Sequence, residues 1–277
     1  MDTRELHRSV RAELRGLPKD LADIVASHLV VAGQLIDAAP ERAYAHAEAA
    51  RRRAARLPIV REAAAETAYA AEYFDVALSE FRALRRMTGT HDYLPVMADC
   101  ERALGRPQAA LKLAKESRRY DLERAQQVEM TIVEAGARAD LGQHSESRRI
   151  LKAAIDSFTE SGEDARMPKA RLRYAYADAL LQAGQEAEAR RWFVVAARLD
   201  IDGETDAQAR VDELDGLRID FDEDSAEETD EPGESSDDTE PLDLDAWLAP
   251  APPVPDGGAR SREGDAANTD GRRFPDE

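Results

Sequence analysis

The strongest constraint on this chain is an internal repeat within its first 200 residues. A helical run, a turn and a small residue five positions later recur, most clearly in YAYADALLQAGQEAEARRWFVVAARLD, residues 174–200. With the turn residue as reference, the copies are centred on Ala38, Glu72, Gly105, Gly142 and Gly184, which lie 34, 33, 37 and 42 residues apart. A unit of this length predicts stacked supersecondary elements rather than one globular core.

Each copy has the pattern of two helices that pack closely. Small residues recur five positions after the reference, and positions +5, +9 and +12 share one helix face because steps of four and three residues realign at about 3.6 residues per turn. Compact side chains also recur at −7, and glycine at the reference suits a left-handed helix end. One pair alone buries little, so the sequence predicts an all-α solenoid of about five helix pairs. The −7 positions are Val31, Ala65, Ala98, Ala135 and Ala177, and the +5 positions are Ala43, Ala77, Ala110, Ser147 and Ala189.

Over roughly residues 24–201 this pattern resembles the tetratricopeptide repeat (TPR). The spacing near 34 residues, the small residues and the Leu-Gly turns at Leu104-Gly105 and Leu141-Gly142 carry the resemblance. The family's Trp near the start of the first helix and its closing Pro are missing from the copies. The resemblance implies a right-handed solenoid whose first helices line a concave surface for a protein or peptide partner. The chain contains 33 Arg and only 5 Lys, a ratio that is typical of a GC-rich bacterial genome of the actinobacterial type.

The flanking segments complete the expected domain organisation. Leu6, Val10, Leu14 and Leu17 predict an amphipathic N-terminal capping helix within residues 1–20, ahead of a solenoid over residues 21–203. Residues 204–218 predict a C-terminal capping helix, introduced by a capping-box spacing at Thr205 and Gln208.

The charge of the chain is concentrated after the repeats. The net charge is −19, and residues 201–277 hold 26 acidic residues and 6 Arg, whereas residues 1–200 hold 31 acidic and 32 basic residues. Residues 219–277 are acidic and rich in Pro and Gly, a composition that predicts a disordered tail. Its apolar cluster around Trp247 is either a short docking motif or part of a spacer.

No motif in the chain indicates catalysis. The five histidines are isolated in the sequence, and Cys100 is expected to be a buried structural thiol because no base is paired with it. The chain has no phosphate-binding glycine loop and no nucleophile elbow. We therefore expect no enzyme, no catalytic residue, no cofactor and no metal. Without an apolar leader or a long apolar segment, we expect a cytoplasmic protein with no membrane partner.

The resemblance also indicates which side chains face a partner. These residues are either parts of a recognition surface or ordinary polar surface positions. Beside Trp247 of the tail, the partner-binding candidates on the first helices are Glu66, Tyr69, Asp99, Arg102, Tyr174 and Asp178.

Arginine clusters recur on the second helices, once in each copy. They are interpreted as a solvated face balanced by nearby Glu, as a docking surface for the acidic tail, or as a phosphate-binding stripe. The near-neutral charge of residues 1–200 argues against nucleic acid. The clusters are at Arg51–Arg53, Arg85–Arg86, Arg118–Arg119, Arg148–Arg149 and Arg190–Arg191.

Two functions are consistent with these features. The first is a protein-interaction scaffold or adaptor that binds a peptide or protein on the concave face. The alternative is a regulatory protein whose acidic tail acts in cis as an autoinhibitor, or mimics nucleic acid towards a basic partner.

Overall fold

The structure is a computed structural model and describes residues 6–216. Every regular element within this range is a helix, which confirms the all-α prediction. In chain order the helices are α1 (Arg8–Leu14), α2 (Lys19–Leu35), α3 (Pro40–Ala54), α4 (Pro58–Ala70), α5 (Phe74–Thr88), α6 (Leu94–Ala103), α7 (Pro107–Ser117), α8 (Arg124–Asp140), α9 (His144–Ser157), α10 (Arg166–Leu181), α11 (Glu186–Leu199) and α12 (Ala207–Leu214).

The helices pack on their neighbours in the chain as five pairs. The pairs are α2–α3, α4–α5, α6–α7, α8–α9 and α10–α11, and the second helix of each pair also packs on the first helix of the next. Contacts between α2 and α4, α6 and α8, and α8 and α10 place first helices beside one another. Helices α1 and α12 pack on α2 and α11, at the two ends of this stack.

The predicted reference residues lie in the turns within the pairs. Gly105, Gly142 and Gly184 have φ angles of 71°, 75° and 73°, the left-handed region that glycine adopts without steric cost. Glu72 takes the same role in the second pair with a φ angle of 60°. The first pair turns differently, because Ala38 does not have a positive φ angle.

The small and apolar positions of the repeat form the contact surface within each pair. All residues at −7, +5 and +9 are buried in all five copies, and at +12 only Ala154 is half-buried. Ala65 and Ala77 share one apolar cluster with Phe81, and Ala98 and Ala110 share the next. The burial pattern thus confirms the predicted repeat phase, including that of the first three copies.

The terminal helices cover the apolar ends of the stack. Leu14 is buried in a cluster with Val25 of α2, and Val211 of α12 is buried with Phe193 of α11. The predicted capping box before α12 is wrong. Helix α12 is preceded by Asp206 as N-cap, while the Thr205 hydroxyl group donates to Asp200 at 2.6 Å.

Arginines of the predicted clusters form ion pairs with glutamates of neighbouring helix pairs. The buried Glu80 side chain contacts Arg51 of the preceding pair at 3.4 Å and Arg61 of its own pair at 2.6 Å. Arg85 reaches Glu116 on the next second helix at 2.6 Å. These side chains therefore join successive pairs, and the contacts agree with the interpretation that nearby glutamates balance the arginines.

Two glycine substitutions test the helix and turn assignments. Gly33→Ala should stabilise the protein by up to about 1 kcal/mol, since Gly33 lies in α2 with open space around its Cα atom and alanine is the better helix former. Gly142→Ala should destabilise it by about 1–2 kcal/mol, because a Cβ atom is strained at a φ angle of 75°. Urea unfolding of both variants measures the difference, and equal shifts of the midpoint would refute the assignment of the turn.

Candidate functional site

Two adjoining hollows lie on the surface formed by the first helices, which we call the first-helix face. The first hollow has a volume of about 620 Å³ and the second a volume of about 510 Å³. Both are lined by Arg102, Ile132 and Arg171, which come from the successive first helices α6, α8 and α10. The stacking of pairs therefore creates a surface to which several repeats contribute.

The structure places most of the predicted partner-binding residues together. Tyr69, Asp99 and Arg102 line the first hollow, and Tyr174 and Asp178 line the second, to which Arg102 also contributes. Glu66 lies on α4, one turn before Tyr69. The seventh candidate, Trp247, lies outside the described residues.

Arg102 is the centre of a network that spans three first helices. Its Nη1 atom lies 3.0 Å from Asp99 Oδ1, and its Nε atom lies 2.8 Å from Asp140 Oδ2. The Tyr69 hydroxyl group donates to Asp99 Oδ2 at 2.6 Å. A Cβ atom at Gly136 would stand 3.0 Å from Arg102 Nε, so the missing side chain leaves room for the guanidinium group against α8. The network therefore fixes the position of the Arg102 guanidinium group on the first-helix face.

Further polar contacts order the rest of the face. Arg171 Nη2 donates to Glu129 Oε2 at 2.8 Å, which joins α10 to α8. Burial, together with a hydrogen bond to Asp206, raises the pKa of Tyr174 to about 12. Burial and the contact with Asp99 likewise raise the pKa of Tyr69 above its ordinary value. Both phenols therefore remain protonated donors at neutral pH.

An acidic pair on α4 stands at the edge of this face. The Tyr93 hydroxyl group donates to Glu62, while Glu66 accepts from none of the described residues. The Glu66 side chain reaches solvent, but protein around it displaces much of the water. This desolvation, with the charge of Glu62 added, raises the pKa of Glu66 to about 7. Glu66 is thus an acidic group that a nearby cation would stabilise in its ionised form.

The titration of Glu66 checks the electrostatics of the face. In the wild type we expect its carboxyl carbon to titrate near pH 7, far above an ordinary glutamate. Glu62→Gln removes the neighbouring negative charge and should lower the pKa of Glu66 towards its usual range. NMR of carboxyl-labelled protein measures both values, and a wild-type pKa near 4 would refute the desolvated environment.

Two of the histidines that are isolated in the sequence meet in the structure. The buried rings of His28 on α2 and His46 on α3 meet with their Nδ1 atoms 3.0 Å apart, which requires one ring to donate and the other to accept. Each lies three residues from a small repeat position, at −10 and +8 from Ala38, and therefore on the faces that meet within the pair. The repeat phase could have predicted that the two rings face each other. A search for histidines at short spacing missed the contact, because the two residues are 18 positions apart.

The histidine pair predicts a loss of stability in mild acid. Burial, then the charges of His46 and Arg53, lower the pKa of His28 to about 4, and burial also lowers the pKa of His46. Between pH 6.5 and 4 the unfolded chain therefore binds more protons than the folded one, so stability decreases as pH falls through this window. For His28 the full effect amounts to roughly 3 kcal/mol.

Urea unfolding at pH 7.5 and 4.5 measures this linkage. The difference in unfolding free energy between the two pH values should shrink in His28→Gln and remain at the wild-type size in His144→Gln, which alters an exposed ring. An unchanged pH dependence in His28→Gln would contradict the buried neutral pair.

The remaining chemistry of the described residues is limited. Cys100 is buried as predicted, and burial raises the pKa of its thiol to about 12, so the thiol stays protonated. No group of three or more His, Cys, Asp or Glu side chains within residues 6–216 is arranged to hold a metal ion. In the same range, every helix is too short or too polar to cross a bilayer.

Comparison of the sequence with protein-family models and with curated proteins found no match.

Proposed function

We propose that this protein is a TPR-like interaction module that binds a peptide or protein partner on its first-helix face and acts as a scaffold or adaptor. The observation that carries the proposal is the pair of adjoining hollows, whose lining side chains come from successive repeats. Such a surface extends along the stack and offers apolar patches beside fixed polar groups. An extended or helical segment of a partner requires this combination.

The polar groups of the face favour recognition over catalysis. Arg102 and Arg171 are engaged with Asp99, Asp140 and Glu129, so their geometry is set before a partner arrives. Preorganised side chains lose little conformational freedom on binding, which favours affinity. The tyrosine hydroxyl groups remain donors rather than nucleophiles because their pKa values are raised.

Site-directed photo-crosslinking in cells that make the protein tests this proposal. A benzophenone amino acid at the exposed Ala125 or at Gln182, which line the first and second hollow, should crosslink to a partner. The same amino acid at Lys112 or Arg191, exposed on the second helices α7 and α11, should not yield that product. Products from the second-helix positions alone would overturn the proposal.

A matched pair of variants links the crosslink to the network. Arg102→Gln removes the guanidinium group that joins Asp99 to Asp140, and the crosslink yield at Gln182 should decrease several-fold. Arg86→Gln removes one charge from an exposed position on α5 and should leave the yield unchanged. Equal losses in both variants would show that net charge, and not the network, controls binding.

A further inference from the structure

The two hollows carry an excess of negative charge. Their lining contains eight carboxylates and only two guanidinium groups, those of Arg102 and Arg171. The carboxylates belong to Asp92, Asp99, Glu129, Asp140, Asp164, Asp178, Glu204 and Asp206. These carboxylates together produce a negative electrostatic potential in the hollows. The potential is stronger there than on an open surface, because the surrounding protein has a low dielectric constant.

Internal ion pairs compensate this charge only in part. Arg102 is shared by Asp99 and Asp140, and Arg171 pairs with Glu129. From outside the lining, Arg210 of α12 lies 3.7 Å from Asp178. By contrast, Asp92 and Asp164 at the first hollow are exposed and form no ion pair with any residue between 6 and 216. From the described part of the chain, Asp92 accepts a hydrogen bond only from the Thr90 hydroxyl group, two residues earlier. The first hollow therefore has two carboxylates available for an external cation.

Between these carboxylates the lining of the first hollow is largely apolar. Its apolar residues come from α6, α8 and α10, and Pro95 and Pro168 are rigid and buried. The others are Val96, Ala125, Ile132, Val133 and Met167. An occupant thus needs an apolar side chain for the floor and positive charge for the rim. An acidic segment or a nucleic acid would place like charges together and is disfavoured.

We propose that the first hollow binds a basic segment of a protein partner, with Arg or Lys side chains at Asp92 and Asp164 and an apolar side chain on the floor. This inference rests on the proposed function and assigns the chemistry of its partner. Rim charges of this kind act chiefly on the rate of association and on specificity, so binding weakens as salt is added.

The test uses the full chain and a fluorescent peptide that carries Arg and Leu residues on one helical face. We expect binding at low salt by fluorescence anisotropy. A peptide with Glu in place of Arg should not bind, and one with Ser in place of Leu should bind more weakly. The acidic residues after position 216 also attract a basic peptide, so a matched pair of protein variants is needed to locate the site.

The double variant Asp92→Asn/Asp164→Asn removes both rim charges and should weaken binding by about three- to tenfold. The control Asp75→Asn/Asp121→Asn removes the same charge from exposed positions outside the hollows and should leave the affinity unchanged. Circular dichroism verifies that both variants are folded. Equal weakening in the two variants, or equal binding of the Glu peptide, overturns the assignment.

The outcomes also separate this inference from the proposed function. If photo-crosslinks form at Ala125 and Gln182 while the basic peptide does not bind, the face recognises a partner of other chemistry and only the basic-segment inference is wrong. If neither crosslinks nor peptide binding occur at the face, the proposed function itself fails.

Discussion

Close contact between the two helices of each pair supports the rest of this structure. Compact side chains at −7 and +5 are fully or almost fully buried in every copy. Because these side chains are small, the two helix backbones of a pair can pack closely. A larger side chain at such a position would force the helices apart, and overpacking of this kind costs about 1–3 kcal/mol. In four of the five pairs, a short turn with a left-handed residue at Glu72, Gly105, Gly142 or Gly184 connects the two helices. Because each pair repeats this geometry, the pairs stack with their first helices side by side.

Electrostatic contacts differ between the two surfaces of the stack. Among the second helices, Arg51 and Arg85 reach glutamates of neighbouring pairs, so much of the positive charge there is used within the fold. On the first-helix face, Arg102 and Arg171 are held by carboxylates, and acidic groups remain in excess. The face is thus both preorganised and negative, and the proposals for its partner depend on these two properties.

More of the fold than of the candidate site could be predicted from the sequence. The small positions of the repeat identified the faces that meet, so the helix pairs and their turns followed from spacing alone. Tyr69, Asp99 and Arg102 were assigned to one face through the resemblance to the TPR, and all three line the first hollow. The ion pair between Arg102 and Asp140 could not be predicted, because the two residues are 38 positions apart in the sequence. The role of Gly136, which leaves room for the Arg102 guanidinium group, is visible only once α6 and α8 are packed together. The histidine contact between α2 and α3 was missed because it depends on a precise register.

Amide hydrogen exchange of the full chain, with and without a crosslink-identified partner, tests the central claim most directly. The account predicts that the partner protects amides of α4, α6, α8 and α10, while those of α5, α7, α9 and α11 exchange as before. Protection confined to the second helices, or to residues after position 216, would contradict recognition on the first-helix face.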